Sequence, residues 1–155
     1  MRTLVLAVAS AGYVGYVPVA SGTFGSLVGI PLFLLLDGLR TTSGALYLLV
    51  FVALIVLASW VAGRADEYLG EHDSHKIVID EIAGYVGATL FLEPTWTHVG
   101  LAFLVFRVFD ILKPFPAGYI DRHFPGGYGV TLDDVVAGFY ANLVLRVADA
   151  TGLTA

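Results

Sequence analysis

The chain has 155 residues, of which 57% are hydrophobic and only 14% are charged, and its net charge at pH 7 is −5. Average soluble domains carry roughly 25% charged residues, so this composition excludes disorder and indicates contact with a lipid bilayer. Eight Lys and Arg residues are too few to hold a polyanion, so we expect no nucleic acid partner, and the absence of cysteine excludes disulfides and thiol chemistry.

The first motif along the chain is SGTFGS, directly before a helix that the sequence predicts to begin near Leu27. Its glycines allow backbone amides to turn toward an anion at a helix N-terminus, and its hydroxyls add hydrogen bonds. In isolation, a serine N-cap followed by a close-packing glycine explains the segment equally well. Beside the acidic motifs described below, it predicts a substrate-binding segment formed by Ser21, Gly22, Thr23, Gly25 and Ser26.

The segment Gly44–Gly63 runs twenty residues without a charge. At 1.5 Å per residue it is about 30 Å long as a helix, which matches the hydrocarbon core of a bilayer. Arg40 and Arg64 flank it, and Trp60 lies near one end, where interfacial anchors are expected. We therefore predict at least one transmembrane helix in this segment.

The remaining apolar runs are shorter and are separated by turn residues such as Asp37-Gly38 and Glu93-Pro94. Runs of about ten residues suit buried or re-entrant helices better than full membrane spans, and none shows the alternation of a strand. The sequence thus predicts an all-α fold, a compact helical bundle that is membrane-embedded or membrane-associated, with a single domain over residues 1–155. The short runs are Leu27–Leu36, Ile82–Leu92, Val99–Phe106 and Val135–Leu145.

Two pairs of acidic residues are each predicted to begin an apolar helix: Asp80-Glu81 and Asp133-Asp134. Acids in a first helical turn also offset the helix dipole, which would account for either pair alone. In both cases a small residue follows about one turn later, Gly84 in the first helix and Gly138 in the second. Small residues let helices approach closely in lipid, so we expect the carboxylates of the two pairs to meet.

A third cluster has Arg107, Asp110 and Lys113 at intervals of three residues, so these side chains share roughly one side of a helix. An intrahelical ladder of salt bridges is the simpler explanation on a solvated surface. Here the surrounding segment is otherwise apolar, and ionisable groups in such a setting usually face a polar interior. We therefore interpret the three residues as part of a site.

If successive helices run up and down, all these polar clusters lie at one end of the bundle. Carboxylates gathered there would repel by roughly 4 kcal/mol per pair at 4 Å, so a cation is required. Oxygen ligands favour Mg²⁺ or Ca²⁺, and Mg²⁺ commonly binds carboxylates together with a phosphate. The sequence predicts metal ligands among Asp80, Glu81, Asp110, Asp133 and Asp134, with Asp73 in reserve, and phosphate donors in Arg107 and Lys113.

The segments SGTFGSL, IVIDEIAGY, FRVFDILKPFP and GGYGVTLDDVVAG, in this order, resemble the phosphatidylglycerophosphatase A family over nearly the whole chain. One departure is Ser21, where the family usually has proline. The resemblance implies a Mg²⁺-dependent membrane phosphatase that converts the lipid phosphatidylglycerophosphate to phosphatidylglycerol and phosphate. It also implies a place in the bacterial inner membrane. The family's motif residues fall on Gly22, Thr23, Gly25, Ser26, Asp73, Asp80, Glu81, Arg107, Asp110, Lys113, Pro114, Gly126, Gly127, Asp133 and Asp134.

On this interpretation the catalytic residues are Asp80, Glu81, Arg107, Asp110, Lys113, Asp133 and Asp134. Either a water molecule or an aspartate attacks the phosphorus, and the sequence leaves both open. The alternative function is a membrane ion-binding or transport protein that uses carboxylates at helix ends, which would release no phosphate. The sequence does not indicate the oligomeric state.

A slight excess of basic residues at the predicted site end favours the cytoplasm there. The basic residues expected at the site end are Arg64, Lys76, Arg107, Lys113 and Arg122, against Arg2, Arg40 and Arg146 at the other end.

Overall fold

The computed structural model describes residues 1–154, which form seven α-helices and one short 3₁₀ turn, with no strand in that range. The all-α prediction is confirmed. The helices are α1 (Arg2–Ala9), α2 (Ser21–Thr42), α3 (Gly44–Leu69), α4 (Ile79–Ala88), α5 (Trp96–Leu112), α6 (Ala117–His123) and α7 (Gly126–Ala150).

Two of the helices, α2 and α3, are long and apolar enough to cross a membrane. In their most apolar stretches only 28% and 33% of the residues are buried, so these are not core helices of a water-soluble protein. The predicted span Gly44–Gly63 lies inside α3, which begins at an N-cap where the Ser43 side chain accepts a hydrogen bond from the Leu46 amide. The two helices indicate a membrane protein.

The expectation that Leu27–Leu36 forms only a short helix is wrong. The helix α2 begins six residues earlier, at Ser21, and continues through the expected turn at Asp37-Gly38 to Thr42. Asp37 is held within the helix by an ion pair with Arg40 at 2.7 Å. The SGTFGS segment is therefore the first part of α2, although glycine is a poor helix former.

The short helix α4 lies at the centre of the bundle, since nine of its ten residues are buried and it contacts α2, α3, α5 and α7. The helix that packs most closely against α4 is α7. The two backbones approach at Gly84 of α4 and Gly138 of α7, because glycine has no side chain to separate them. A Cβ at Gly84 would lie 2.8 Å from the carbonyl oxygen of Asp134. The predicted close approach of these two helices is present, and it places the acidic pairs side by side.

The prediction that Asp133-Asp134 begins a helix is wrong. The helix α7 begins at Gly126, so these two acids lie about two turns inside it, where both are buried. Arg2 is also at the other end from the one expected, because its guanidinium donates to the carbonyl of Tyr68 near the C-terminus of α3. The end of the bundle that carries the acids thus holds Arg2 as well as Arg64.

Candidate active site

Three carboxylates from two helices form the centre of the candidate site. Asp80 and Glu81 come from the first turn of α4, as expected, and Asp134 comes from α7. One oxygen of each lies within 4.8 Å of one oxygen of the other two. The Gly84 and Gly138 contact sets this geometry, because it brings the two helix backbones together one turn away from the acids.

The three carboxylates are not neutralised by neighbouring donors. Oδ1 of Asp80 and Oε2 of Glu81 are buried without a hydrogen-bond partner. Burial and the adjacent Glu81 raise the pKa of Asp80 well above its ordinary value, and burial together with Asp134 raises the pKa of Glu81 to about 8. Burial, followed by the charge of Asp110, raises the pKa of Asp134 in the same direction. Burial and, to a smaller extent, the neighbouring acids therefore both disfavour the charged form of these carboxylates.

A hard divalent cation fits this set of residues. All three donors are carboxylate oxygens, two helices hold them at a mutual distance that one ion can bridge, and two of their oxygens have no other use in the fold. Mg²⁺, Ca²⁺ and Mn²⁺ prefer such ligands, whereas zinc and copper prefer nitrogen or sulfur. Three of the six predicted metal ligands thus form one group.

The other predicted ligands lie around this group rather than in it. Asp110 lies beside Asp134 and contacts Arg107, whose Nη1 is 2.6 Å from Oδ2 of Asp110. Although close, this contact is not an aligned hydrogen bond, and Nη1 and Nε of Arg107 are both buried without an acceptor. The Arg107–Asp110 part of the alternative, an intrahelical salt-bridge ladder, is therefore present, but it leaves guanidinium donors free for an anion.

Lys113 leaves the ladder altogether. The helix α5 ends at Leu112, and Lys113 turns away in a left-handed conformation with φ of 43°. Its Nζ lies 2.6 Å from Asp133 and 3.0 Å from Asp121. Although burial opposes the charge of Lys113, these two carboxylates hold its pKa above the ordinary value. Asp133 therefore forms an ion pair with Lys113 and is not part of the group of three carboxylates.

Asp121, which contacts Lys113, is not among the site residues that the sequence predicts. It belongs to α6, a seven-residue helix that the apolar pattern does not reveal, and no spacing rule relates it to Lys113 or Asp133. Its only signal in the sequence is that it is the one acidic residue between Asp110 and Asp133.

The N-terminus of α2 lies directly over the acidic group. A Cβ at Gly22 would overlap the Glu81 carboxylate and would lie 3.2 Å from Nη1 of Arg107. The first amides of a helix have no intrahelical acceptor, so they are available here beside Arg107. Glycine at this position lets the Glu81 carboxylate and the Arg107 guanidinium both approach the start of α2.

The remaining residues of the SGTFGS segment have structural contacts. The Ser21 hydroxyl donates to the carbonyl of His75 at 2.6 Å, and the Ser26 hydroxyl donates to that of Gly22 at 2.9 Å. Gly25 packs against Val78, while Thr23 is half-buried next to them. The contacts of Ser21 and Gly25 attach the start of α2 to the segment that leads into α4.

Asp73 lies in the loop between α3 and α4, outside the group of three carboxylates. Its side chain is exposed, but its charge is close enough to raise the pKa of Asp80 and to interact with Lys113. It forms the outer edge of the site, between the acidic group and solvent.

The chain is similar in sequence to known proteins over most of its length. The family model described as phosphatidylglycerophosphatase A matches residues 7–149. A phosphatidylglycerophosphatase A of Haemophilus influenzae is 37% identical over 84% of this chain and 80% of its own length. That of Escherichia coli is 37% identical over 80% of this chain and 71% of its own.

A Bacteroides thetaiotaomicron protein, which carries the provisional name phosphatidylinositol-3-phosphatase, is also 37% identical, over 86% of both chains. No solved structure matches the chain.

Proposed function

The chain belongs to the phosphatidylglycerophosphatase A family, and from this premise we propose that it is a phosphoric monoester hydrolase acting on phosphatidylglycerophosphate. The products are phosphatidylglycerol and inorganic phosphate. The observation that carries the proposal is the meeting of three unneutralised carboxylates, the free donors of Arg107 and the N-terminus of α2 at one point. Such a site attracts a cation and a phosphate together.

Asp80, Glu81 and Asp134 would hold the metal ion, for which Mg²⁺ is our choice. When bound, the ion supplies positive charge that offsets the carboxylates and the phosphoryl oxygens. Asp110 and Asp133 then act mainly on the basic residues: Asp110 orients Arg107, and Asp133 orients Lys113. This assignment narrows the ligand set proposed from the sequence.

Arg107 and the amides of Ser21 and Gly22 would bind the phosphoryl oxygens, since charge-assisted donors stabilise the charge that a phosphoryl group carries in the transition state. Lys113, held by two carboxylates, would contribute a fixed positive charge at the edge of the same site. Water or an aspartate attacks the phosphorus in line with the ester oxygen. The bond between phosphorus and that oxygen breaks, and the departing oxygen takes up a proton to become the free hydroxyl of phosphatidylglycerol.

We place the protein in the bacterial inner membrane with the site facing the cytoplasm. The end of the bundle that carries the acids also carries Arg2, which the sequence predicts to lie at the other end, so the excess of basic residues on the site side increases. Basic residues are retained on the cytoplasmic side of bacterial membrane proteins. The substrate would then enter from the inner leaflet.

Phosphate release from phosphatidylglycerophosphate in detergent micelles, measured with the purified full chain, tests the proposal. We expect release with Mg²⁺, none with EDTA, and recovery when Mg²⁺ is restored. Asp80→Asn and Asp134→Asn should both be inactive, whereas the matched variant Asp149→Asn, at the opposite end of α7, should be active. Near-normal turnover in both site variants would show that the metal-site assignment is wrong.

A phosphatidylinositol phosphate is the second candidate substrate, because the Bacteroides relative is as similar in sequence as the other two. Both lipids carry a phosphomonoester on a diacylglycerol phosphodiester, so the same metal and arginine contacts serve either. Parallel assays of the two lipids at equal surface concentration decide between them. We expect the higher kcat/KM for phosphatidylglycerophosphate.

A further inference from the structure

An aromatic surface lies on the outer side of α6, next to the candidate site. Tyr119 and His123 lie one turn apart on α6 and so share a face, and Phe115 lies in the connection just before the helix. The rings of Phe115 and Tyr119 are 6.2 Å apart, and those of Tyr119 and His123 stack at 4.1 Å. Phe115 is 80% exposed and Tyr119 is 47% exposed. We call these three residues the α6 aromatic stripe.

The opposite side of α6 faces the protein. Ala117 and Gly118 are buried, and Asp121 contacts Nζ of Lys113 at 3.0 Å. The Tyr140 hydroxyl of α7 donates to the carbonyl of Phe115, which fixes the start of this segment. The helix therefore holds a basic residue of the site with one side and presents aromatic rings to the surroundings with the other.

The stripe continues into further exposed apolar surface on both sides. On α5, the residues Leu104, Val108, Ile111 and Leu112 are each at least 51% exposed, and they lead directly to Phe115. Beyond α6, Phe124 and Tyr128 are 45% and 58% exposed. A contiguous apolar surface of this kind marks contact with another phase or partner.

The chemistry of the surface favours lipid as that partner. The outer face of α5 is aliphatic, as are those of α2 and α3, which are long enough to cross a bilayer. At the end of the bundle that carries the site, the surface changes from aliphatic to aromatic with polar tips. Tyrosine at that level is typical of the headgroup boundary of a membrane, because its ring has an apolar body and a polar tip that reaches water.

We propose that α6 lies in the headgroup boundary of the bilayer, with the α6 aromatic stripe against the glycerol and upper acyl-chain region. A lipid in that leaflet then reaches Lys113 and Arg107 without leaving the membrane. This second statement rests on the proposed function, since it requires a lipid substrate. The position of α6 does not depend on it.

The absence of cysteine makes a depth measurement direct, because one introduced thiol can be labelled without background. The full chain carrying Tyr119→Cys is labelled with an environment-sensitive fluorophore and reconstituted into vesicles of phosphatidylethanolamine and phosphatidylglycerol. Lipids with a nitroxide near the headgroup end of the acyl chain serve as quencher. Glu71→Cys, in the exposed loop between α3 and α4, is the matched control.

We expect several-fold stronger quenching at residue 119 than at residue 71, with a blue-shifted emission. Phe124→Cys provides a second position on the same surface and should also be quenched. Equal and weak quenching at 71, 119 and 124 would overturn the proposal. Because the measurement needs no catalysis, a quenched label in a protein that releases no phosphate would support the position of α6 and count against the proposed function alone.

Substrate access has its own test in the variant Tyr119→Ser. We expect a several-fold higher KM for phosphatidylglycerophosphate in vesicles, with the hydrolysis of a short-chain, water-soluble analogue unchanged. The unchanged soluble activity also shows that the variant is folded. An unchanged KM in vesicles would overturn the access route.

Discussion

Two clusters of polar side chains, at opposite ends of the helical bundle, differ in how fully their hydrogen bonds are satisfied. At one end, Nδ1 of His98 lies 2.8 Å from the carbonyl of Glu93, and Nε2 lies 2.8 Å from Oδ1 of Asp149. Nearby, the guanidinium of Arg146 donates to Asn142 and to the carbonyl of Leu90. At the other end, Asp80, Glu81, Asp133 and Arg107 each have a buried atom without a partner.

The difference separates a structural network from a binding site. A buried polar group that lacks a partner costs free energy, so natural proteins satisfy nearly all of them. The network around His98 follows that rule and needs nothing further. The acidic group around Asp80 departs from that rule, because several of its buried polar atoms have no partner. This indicates that a bound ligand supplies the missing partners.

The largest effect should come from Asp134→Asn. This change removes one charge from the proposed metal site, and we expect phosphate release to fall by on the order of 10² or more, as when a preorganised catalytic group is lost. The free energy of unfolding without metal should not decrease, because repulsion with Asp80 and Glu81 is relieved. Phosphate release and thermal unfolding measure the two effects. A loss of stability equal to that of a core substitution would place Asp134 with the structural network instead.

Arg107→Lys should have the next largest effect. The lysine retains the charge but loses the planar donor pair. A charge-assisted hydrogen bond contributes about 1.5 to 3 kcal/mol, which corresponds to a kcat/KM lower by roughly 10-fold to 150-fold. Kinetics with the lipid substrate measure it. Full activity in this variant would mean that Arg107 serves only its contact with Asp110.

Gly84→Ala tests whether the α4 and α7 crossing sets the geometry of the site. The new Cβ would lie 2.6 Å from the Phe106 ring and 2.8 Å from the carbonyl of Asp134, so the helices must separate. Overpacking of this kind costs about 1 to 3 kcal/mol of unfolding free energy, and the affinity for the activating metal should fall with it. The control is Gly100→Ala in α5, where a Cβ meets nothing within 4 Å, and this variant should retain both stability and metal affinity.

His98→Ala should have the smallest effect, and it should change the stability of the fold and leave the turnover unchanged. It removes two hydrogen bonds of the satisfied network, so we expect the unfolding free energy to fall by about 1 kcal/mol. Phosphate release at full metal saturation should not change, because the site is at the other end of the bundle. Thermal unfolding with and without Mg²⁺, together with kinetics, measures both. Strongly reduced turnover would contradict the division between the two ends.

Much of the fold follows from local patterns in the sequence. The charge-free run at Gly44–Gly63 gives α3, and the acids of the first turn mark the start of α4 correctly. The starts of α2 and α7 cannot be predicted from these patterns, because both helices begin in glycine-rich segments with low helix propensity. In α2 that preference is overridden by packing, since Gly25 contacts Val78 and the Ser21 hydroxyl bonds to the carbonyl of His75.

The sequence likewise predicts which residues gather at the site better than it predicts which of them contact one another. Residue types and chain order identify the acids, Arg107 and Lys113 as members. They do not reveal that Asp133 pairs with Lys113 while Asp134, its neighbour in the chain, joins the acids of α4. Adjacent residues on a helix point about 100° apart, so the position of the neighbouring helices decides which acid faces which partner.

The amino-acid sequence by itself determines that this is a helical, lipid-contacting chain with more acidic side chains in apolar surroundings than a fold requires. Hydrophobic periodicity and charge are local properties, and they persist in any arrangement of the helices. The tertiary structure alone decides that three of those acids share one point, that Asp121 fixes Lys113, and that α6 turns its aromatic rings outward. The group of three acids joins α4 to α7, which are far apart in the chain, and Gly84 and Gly138 bring it together because they let the two helix backbones approach closely.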